Sequence, residues 1–424
     1  MSQYNTLGNS LKVGLLNFSE KITKNFGRIA RKFISNMLFG IISSNSCKLT
    51  DIGRAQKEKI ELKKTVERLG RNLSDFTESE KLMQNYISAV KSFIGPDTNI
   101  LLDGGDVTKP CSPKMESIGT VHDGSTGKFA PGYWTMGAVA LSSEFKQPIP
   151  VYEKLYPCKK QGGSGAKAET LECLKSLREN FDGSIPRVGD RGFDSGEIIL
   201  DLYDHKENFI IRVNQNRVAV HKGQQTYIDD IVRGMVCEYE IELKDKDGKA
   251  KKCRIGMTQI ILPRMKNIKL NLVVCKDFGK DPLVLYTNLS ESLENIAVRV
   301  VKIYLMRWRI DEHYAFKKQG FHYEDFRVRS LNSIKTLDLL LTIAIGYIAI
   351  LSEGADSGTV YTLIGISKRI TKTARFIAKT KFLAFAILDG ISFVFAALQC
   401  GISHFFSPSP PNPQLSFLSF DFLG

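Results

Sequence analysis

A chain of 424 residues is too long for one small domain and has room for two or three. Hydrophobic residues at 43% are ample for a core, and 25% charged residues are ordinary for a soluble protein. The net charge of +14, with a pI near 9.2, is not ordinary and points to a polyanionic partner, either nucleic acid or an anionic membrane surface.

Residues 1–95 carry 16 Lys or Arg against 8 Asp or Glu, which predicts a basic amino-terminal module. They lack strand alternation. SEKITKNFGRIARKFISNMLFGI (19–41) puts Ile22, Phe26, Ile29, Phe33 and Met37 on one helical face. CKLTDIGRAQKEKIELKKTVERLGRNL (47–73) opens with Thr50 and Asp51 as cap residues. LTDIGRA and the basic helix after it look like a small helix-turn-helix, a weak pattern that many helix pairs share without touching DNA.

Near residue 96 the pattern changes. TNILLDGGD (98–106), YWTMGAVALSS (133–143) and PIPVYEKLYP (148–157) read as strands. AKAETLECLKSLRENF (166–181) is an amphipathic helix. IPRVGDRGFDSGE (185–197) combines a strand, a turn carrying Asp190 and a helix start; NFIIRVN (208–214) is a further strand. Residues 217–287 bring β-rich runs such as MVCEYEIEL (235–243) and IKLNLVVCKD (268–277). A long helix opens near Ser290 and apolar helices follow. LLLTIAIGYIAIL (339–351) is too short to span a bilayer, and Asp389 interrupts the apolar stretch from 382, so both read as core helices and no membrane is expected. SPSPPNPQ (407–414) begins a Pro-rich tail. No signal sequence opens the chain. The eight cysteines form no C-x-x-C pair and have no His cluster beside them, which argues against structural zinc and for a reducing compartment.

Asp103 and Asp190 are expected to close the first and fourth core strands. Gly104, Gly105, Gly189 and Gly192 flank them and leave room for a backbone or phosphate to approach. The third acid sits in KIYLMRWRIDEHYAFKKQG (302–320). At about 100° per residue from Tyr304, Arg307 falls near 300°, Asp311 near 340° and Lys318 near 320°, while neighbouring Glu312 lies near 80°. A hydroxyl, guanidinium, carboxylate and ammonium thus share one arc. Such a face suits a phosphodiester: cations grip phosphate oxygens and a carboxylate holds a hard divalent ion. Three convergent carboxylates can hold two ions for an in-line displacement. Asp106 ranks below Asp103 as first acid. Asp194 and Glu197 are expected to cap or charge the helix that follows. His122, His313 and His322 show no nucleophile–base pattern.

On these residues the chain resembles the DDE transposases of bacterial insertion sequences, in the insertion-sequence-four-like branch whose third acid lies in Y-x2-R-x3-E-x6-K. Tyr304, Arg307 and Lys318 fit that spacing, LLDGGD and VGDRGFDS look like the first- and second-acid blocks, and Asp311 stands where the motif has Glu. The likeness covers roughly 98–350. It implies an α/β fold: an RNase H-like mixed-sheet catalytic core in two parts (96–216 and 289–355) around a β-rich insertion (217–288). An all-helical DNA-binding domain (1–95) would precede it, with a helical region (356–406) and the Pro-rich tail (407–424) after it. It further implies catalytic and metal-binding Asp103, Asp190 and Asp311, with Glu312 as fallback, holding two Mg2+ or Mn2+. DNA contacts would come from Tyr304, Arg307, Lys318, Arg191 and Trp308, with Trp134 a weaker stacking candidate. The partners implied are double-stranded DNA, as terminal inverted repeats and target, and a second copy of the chain in a prokaryotic cytoplasm. Aspartate for glutamate leaves three readings open: a helix set closer to the ions, Glu312 reaching in, or a weakened copy. A nuclease that cuts without joining and a DNA-binding protein with a dead site remain the alternatives.

Overall fold

The computed structural model of the chain describes residues 2–124, 126–142, 147–214, 216–244, 248–289, 296–354, 357–371, 383–398 and 400–402. The helix start expected near Ser290, the Pro-rich tail and part of 356–406 lie outside the described residues.

Five helices open the fold: α1 (Ser2–Ile22), α2 (Arg28–Ser44), α3 (Leu49–Ala55), α4 (Leu62–Asp75) and α5 (Ser79–Val90). The single helix expected over 19–41 is broken, because Asn25 turns left-handed (φ 66°) and ends α1. Ile22, Phe26, Phe33 and Met37 are buried as expected, but Ile29 falls in the first turn of α2 and is 78% exposed. The expected caps also shift. Asp51 sits inside the first turn of α3, where it accepts from Ser46 Oγ and Arg54. A left-handed Lys57 (φ 48°) then separates α3 from the basic α4.

These helices share one apolar core with α11 (Leu331–Gly354), the helix Leu383–Ala397 and one face of the sheet. Tyr86 of α5 donates to the Pro150 carbonyl at 2.7 Å, and a Cβ at Gly346 of α11 would fall 2.0 Å from its hydroxyl. At 24 residues α11 is longer than the apolar run suggested, long and apolar enough to cross a membrane. Its most apolar window is nonetheless 94% buried inside the fold.

The sheet strands are β1 (Asn99–Thr108), β2 (Gly119–His122), β3 (Phe129–Leu141), β4 (Ile149–Tyr156), β5 (Arg187–Gly189) and β6 (Phe209–Arg212), then β7 (Val218–His221), β8 (Gln224–Tyr227), β9 (Tyr239–Lys244), β10 (Ala250–Leu262), β11 (Ile268–Lys276) and β12 (Leu283–Thr287). Helices α6 (Ala166–Asn180), α7 (Gly196–Asp204) and α8 (Ile228–Gly234) intervene. The spatial order is β2-β3-β1-β5-β6-β12-β11-β10-β7-β8, with β4 on β3 and β9 on β10. Strands β4, β3 and β1 pair antiparallel, and β1, β5 and β6 parallel. The β-rich run 217–288 is not set apart from this core. β12 hydrogen-bonds to β6 (Leu285↔Arg212), so the run extends the same sheet.

Alternation sorts the strand residues to two faces. Leu101, Val139, Val188 and Ile210 pack beneath α9 (Ile296–Leu305), whereas Ile100, Leu102, Ala138 and Ala140 join the core that holds α6 and α7.

Candidate active site

β1 does not stop at Asp103 but stays paired to Thr108, and Asp103 sits within it opposite Gly137 of β3. Its neighbour on the other side is β5, in the parallel register Ile100↔Arg187 and Leu101↔Val188. Carried two residues further, that register brings Asp103 level with Asp190. Asp190 follows β5 directly, and its carboxylate accepts the Gly192 amide at 2.7 Å. Adjacent parallel strands therefore bring the two acids level with each other, Asp103 from within its strand rather than at its end.

The third acid arrives on a helical run less regular than the wheel assumed. After α9 come a 3-10 turn (Met306–Trp308), α10 (Arg309–Ala315) and a π turn (Phe316–Gly320). Such π turns recur at functional sites. Helix α10 is only seven residues long, so tertiary contacts rather than propensity hold it. Tyr314 lies across the sheet and donates to the Asp103 carbonyl at 2.9 Å. Glycines make this possible. A Cβ at Gly137 would meet the Tyr314 hydroxyl at 2.5 Å, and one at Gly105 would meet its ring at 3.3 Å.

One turn before Tyr314, Asp311 stands near enough to Asp103 for each carboxylate to raise or lower the other's proton affinity. Arg307 joins them: its guanidinium lies 3.3 Å from Asp103 and 3.8 Å from Asp311. Burial pushes Asp103 up to about 7. Arg307 draws it down, and Asp190 and Asp311 push it up further. Loss of solvent likewise raises Asp311, Arg307 opposing and Asp190 adding to the rise. Burial works against the Arg307 charge, yet Asp103 and Asp311 hold it above its ordinary value. Three carboxylates thus act on one guanidinium.

Glu312 is not brought to this group. It is buried, bonded to Arg309 at 2.5 Å, and lines a narrow crevice with Gln147, Pro148 and His313. A step of about 100° around the helix accounts for the divergence. Lys318 is drawn to Asp106 (2.9 Å) and Glu324 (3.2 Å), which gives Asp106 a partner distinct from the three acids. Asp194 is no helix cap: it is buried, bonded to the Asn214 amide and paired with Arg217 at 2.8 Å. Glu197 does lie in the first turn of α7, paired with Lys167. Arg191 is exposed beside Asp190, and Trp134 is half-buried opposite Asp106. His313 is buried. His122 meets Phe129 edge-on, and His322 is exposed with a left-handed backbone.

Beside Arg307 a groove of about 580 Å³ opens between α9 and the β9–β11 extension. Its walls carry Arg212, Lys244, Lys251 and Lys280 together with Tyr304 and Trp308, the latter 42% exposed. The motif residues Arg307 and Trp308 were legible in the sequence. The four cations were not, because they are scattered over 212–280 and only strand pairing gathers them.

The acids offer only oxygen ligands, the donor set preferred by hard divalent cations. Among the described residues no three His, Cys, Asp or Glu side chains stand close enough to hold one ion. Arg307 supplies the positive charge between Asp103 and Asp311.

The chain is similar in structure to the piggyBac transposase synaptic complex with hairpin DNA, solved by cryo-electron microscopy, at 12% identity and a TM-score of 0.44. That likeness covers 87% of this chain and 72% of that one. The family model of the transposase DDE domain matches residues 126–346, which takes in Asp190 and the whole Tyr304–Lys318 run and begins after Asp103. Just over half of the sequence is matched, and the chain belongs to the DDE-domain transposase family.

Proposed function

We propose that this transposase cuts DNA at the terminal inverted repeats of an insertion sequence and joins the freed 3′-hydroxyl to target DNA. The observation that carries the reading is Arg307 seated between Asp103 and Asp311, level with Asp190 and at the mouth of a cationic groove. The strand order supports an RNase H-like core: three antiparallel strands, then two parallel ones, with acids on the first-formed strand and after the fourth of that set.

Asp103, Asp190 and Asp311 would hold two Mg2+ or Mn2+ ions. When bound, such ions activate the attacking oxygen and steady the leaving one. Arg307 opposes the burial that raises Asp103 and Asp311 and is placed to grip a phosphate oxygen. Arg212, Lys244, Lys251 and Lys280 line a path for the backbone, with Trp308 as a stacking surface, while the ring of Tyr304 is buried in the core under the groove. The exposed basic residues of α4, Lys63, Lys64 and Arg71, suit duplex contact further from the chemistry. Two copies of the chain pair two element ends, in the cytoplasm of a prokaryotic host.

The test is Mg2+-dependent cleavage and joining on the DNA that flanks the reading frame. Asp103→Ala and Asp190→Ala should abolish both steps, and full strand transfer by either variant refutes the site. Cutting without joined product would mark a nuclease. Salt-sensitive end binding without cutting would mark a DNA-binding protein with a dead site.

A further inference from the structure

The register across β1, β3 and β4 sets three positions in a row on one face: Asp103 opposite Gly137, and Gly137 opposite Glu153. The helical run of α10 and the π turn crosses the sheet along this row. At one end Arg307 links Asp311 to Asp103. In the middle Tyr314 lies over Gly137. At the far end Lys317 reaches Glu153 at 2.8 Å and Asp338 of α11 at 2.5 Å, with His313 3.6 Å from Glu153.

All four of these side chains are 3% exposed or less. Against the burial that would discharge it, Asp338 and Glu153 raise the Lys317 ammonium above its ordinary value. Two acids and one lysine away from water are a poor way to gain stability, since apolar side chains of similar size usually do as well or better. The Lys317–Glu153 hydrogen bond is directional, however, and Asp338 adds an ion pair from a second element, so the run is held from both β4 and α11. The π turn draws Lys317 inward while Lys318, next in sequence, stays at the rim with Asp106 and Glu324.

We propose that Glu153 is a positioning residue for the metal site: through Lys317 it sets the rotation and height of α10, and thereby the approach of Asp311 to Asp103. The proposal rests on reading Asp311 as a metal-binding carboxylate.

The test uses the full chain without DNA and Mn2+ alone as probe, with free Mn2+ followed by electron paramagnetic resonance and the thermal midpoint recorded in parallel. Glu153→Gln keeps the shape and leaves one buried acid for Lys317. It should weaken Mn2+ binding about ten-fold, the usual scale for losing an outer-shell support, with unchanged stoichiometry in the folded protein. A role in stability alone would lower the midpoint and the competent fraction but leave Kd where it was. A folded Glu153→Gln protein with wild-type Kd overturns the proposal. If that variant does not fold, Glu153→Asp takes its place under the same criterion. Asp311→Asn separates the two readings. Weaker binding there with wild-type binding in Glu153→Gln sinks only the positioning role. Unchanged binding in Asp311→Asn removes Asp311 as a ligand, and the positioning role falls with it.

Discussion

Asp103→Asn should make the metal-free protein more stable at high pH, and the structure gives the sign and size. The Asp103 carboxyl titrates near 7 in the fold, against about 3.9 in an unfolded chain. Between those values the native state binds more protons than the unfolded one, so stability falls as pH rises. The decline begins near pH 4 and is complete once pH passes the folded value near 7. Three pKa units at about 1.4 kcal/mol each bound the loss at roughly 4 kcal/mol. The carboxyl is 18% exposed and Arg307 can swing with it, so about half of that, roughly 2 kcal/mol, is expected to be realised. Asparagine mimics the protonated acid but cannot ionise. Thermal midpoints of wild type and variant, measured in EDTA from pH 4.5 to 8.5, should coincide at the acid end and separate by roughly 3 °C at the alkaline end, the variant higher. A constant or shrinking difference across that range would refute the account of Asp103 as a carboxyl held in a dry, acid-rich site.

Removing the cation should act in the opposite sense. Arg307→Ala leaves Asp103 unopposed, and a loss of roughly 2 kcal/mol at pH 8 that fades toward pH 4, where Asp103 is protonated, is expected in the same midpoint assay. Gly137→Ala forces a methyl group against Tyr314 and Glu153 and should cost about 1–3 kcal/mol in urea denaturation, with reduced end cleavage. In the groove, Lys244→Ala or Lys280→Ala should weaken DNA binding across sequences and flatten the slope of log K against log salt by about 0.9 per lost phosphate contact, read by fluorescence anisotropy. Asp311→Glu, although it restores the residue of the motif, should lower metal-dependent end cleavage about ten-fold; faster cleavage would show the native site to be a weakened one.

The core strands and the nearness of Asp103, Asp190 and Asp311 were legible because each rests on local pattern: an apolar run carrying acid and glycine, or a spacing along one helix. Asp103 and Asp190 come level since adjacent parallel strands align equivalent positions. What escaped was decided by groups distant in sequence. The 19–41 helix breaks at Asn25, whose left-handed backbone leaves no trace in hydrophobic period. Asp194 looks like a cap beside Ser195, but Arg217 and the Asn214 amide claim it. Lys317 reads as one more surface lysine in FKKQG until β4 and α11 enclose it. That the β-rich run 217–288 continues the core sheet through the β12–β6 ladder is likewise set by pairing that no local pattern announces.

The aspartate at 311 is best understood through the glycines beneath its helix. An acid one methylene shorter than glutamate can serve the same centre only if the backbone that carries it comes closer. Gly105 and Gly137 remove the side chains that would hold α10 away, and Tyr314 settles onto the space they leave, bonded to the Asp103 carbonyl itself. Glu153, two strands from Asp103 in the same row, is placed to secure the other end of the run through Lys317. A helix of seven residues between two irregular turns would otherwise slide or roll. With both ends held, the shorter carboxyl reaches the Arg307 guanidinium that also binds Asp103. A glutamate on so close a backbone must fold back or push the helix out, which is why the longer acid is expected to be the poorer one here.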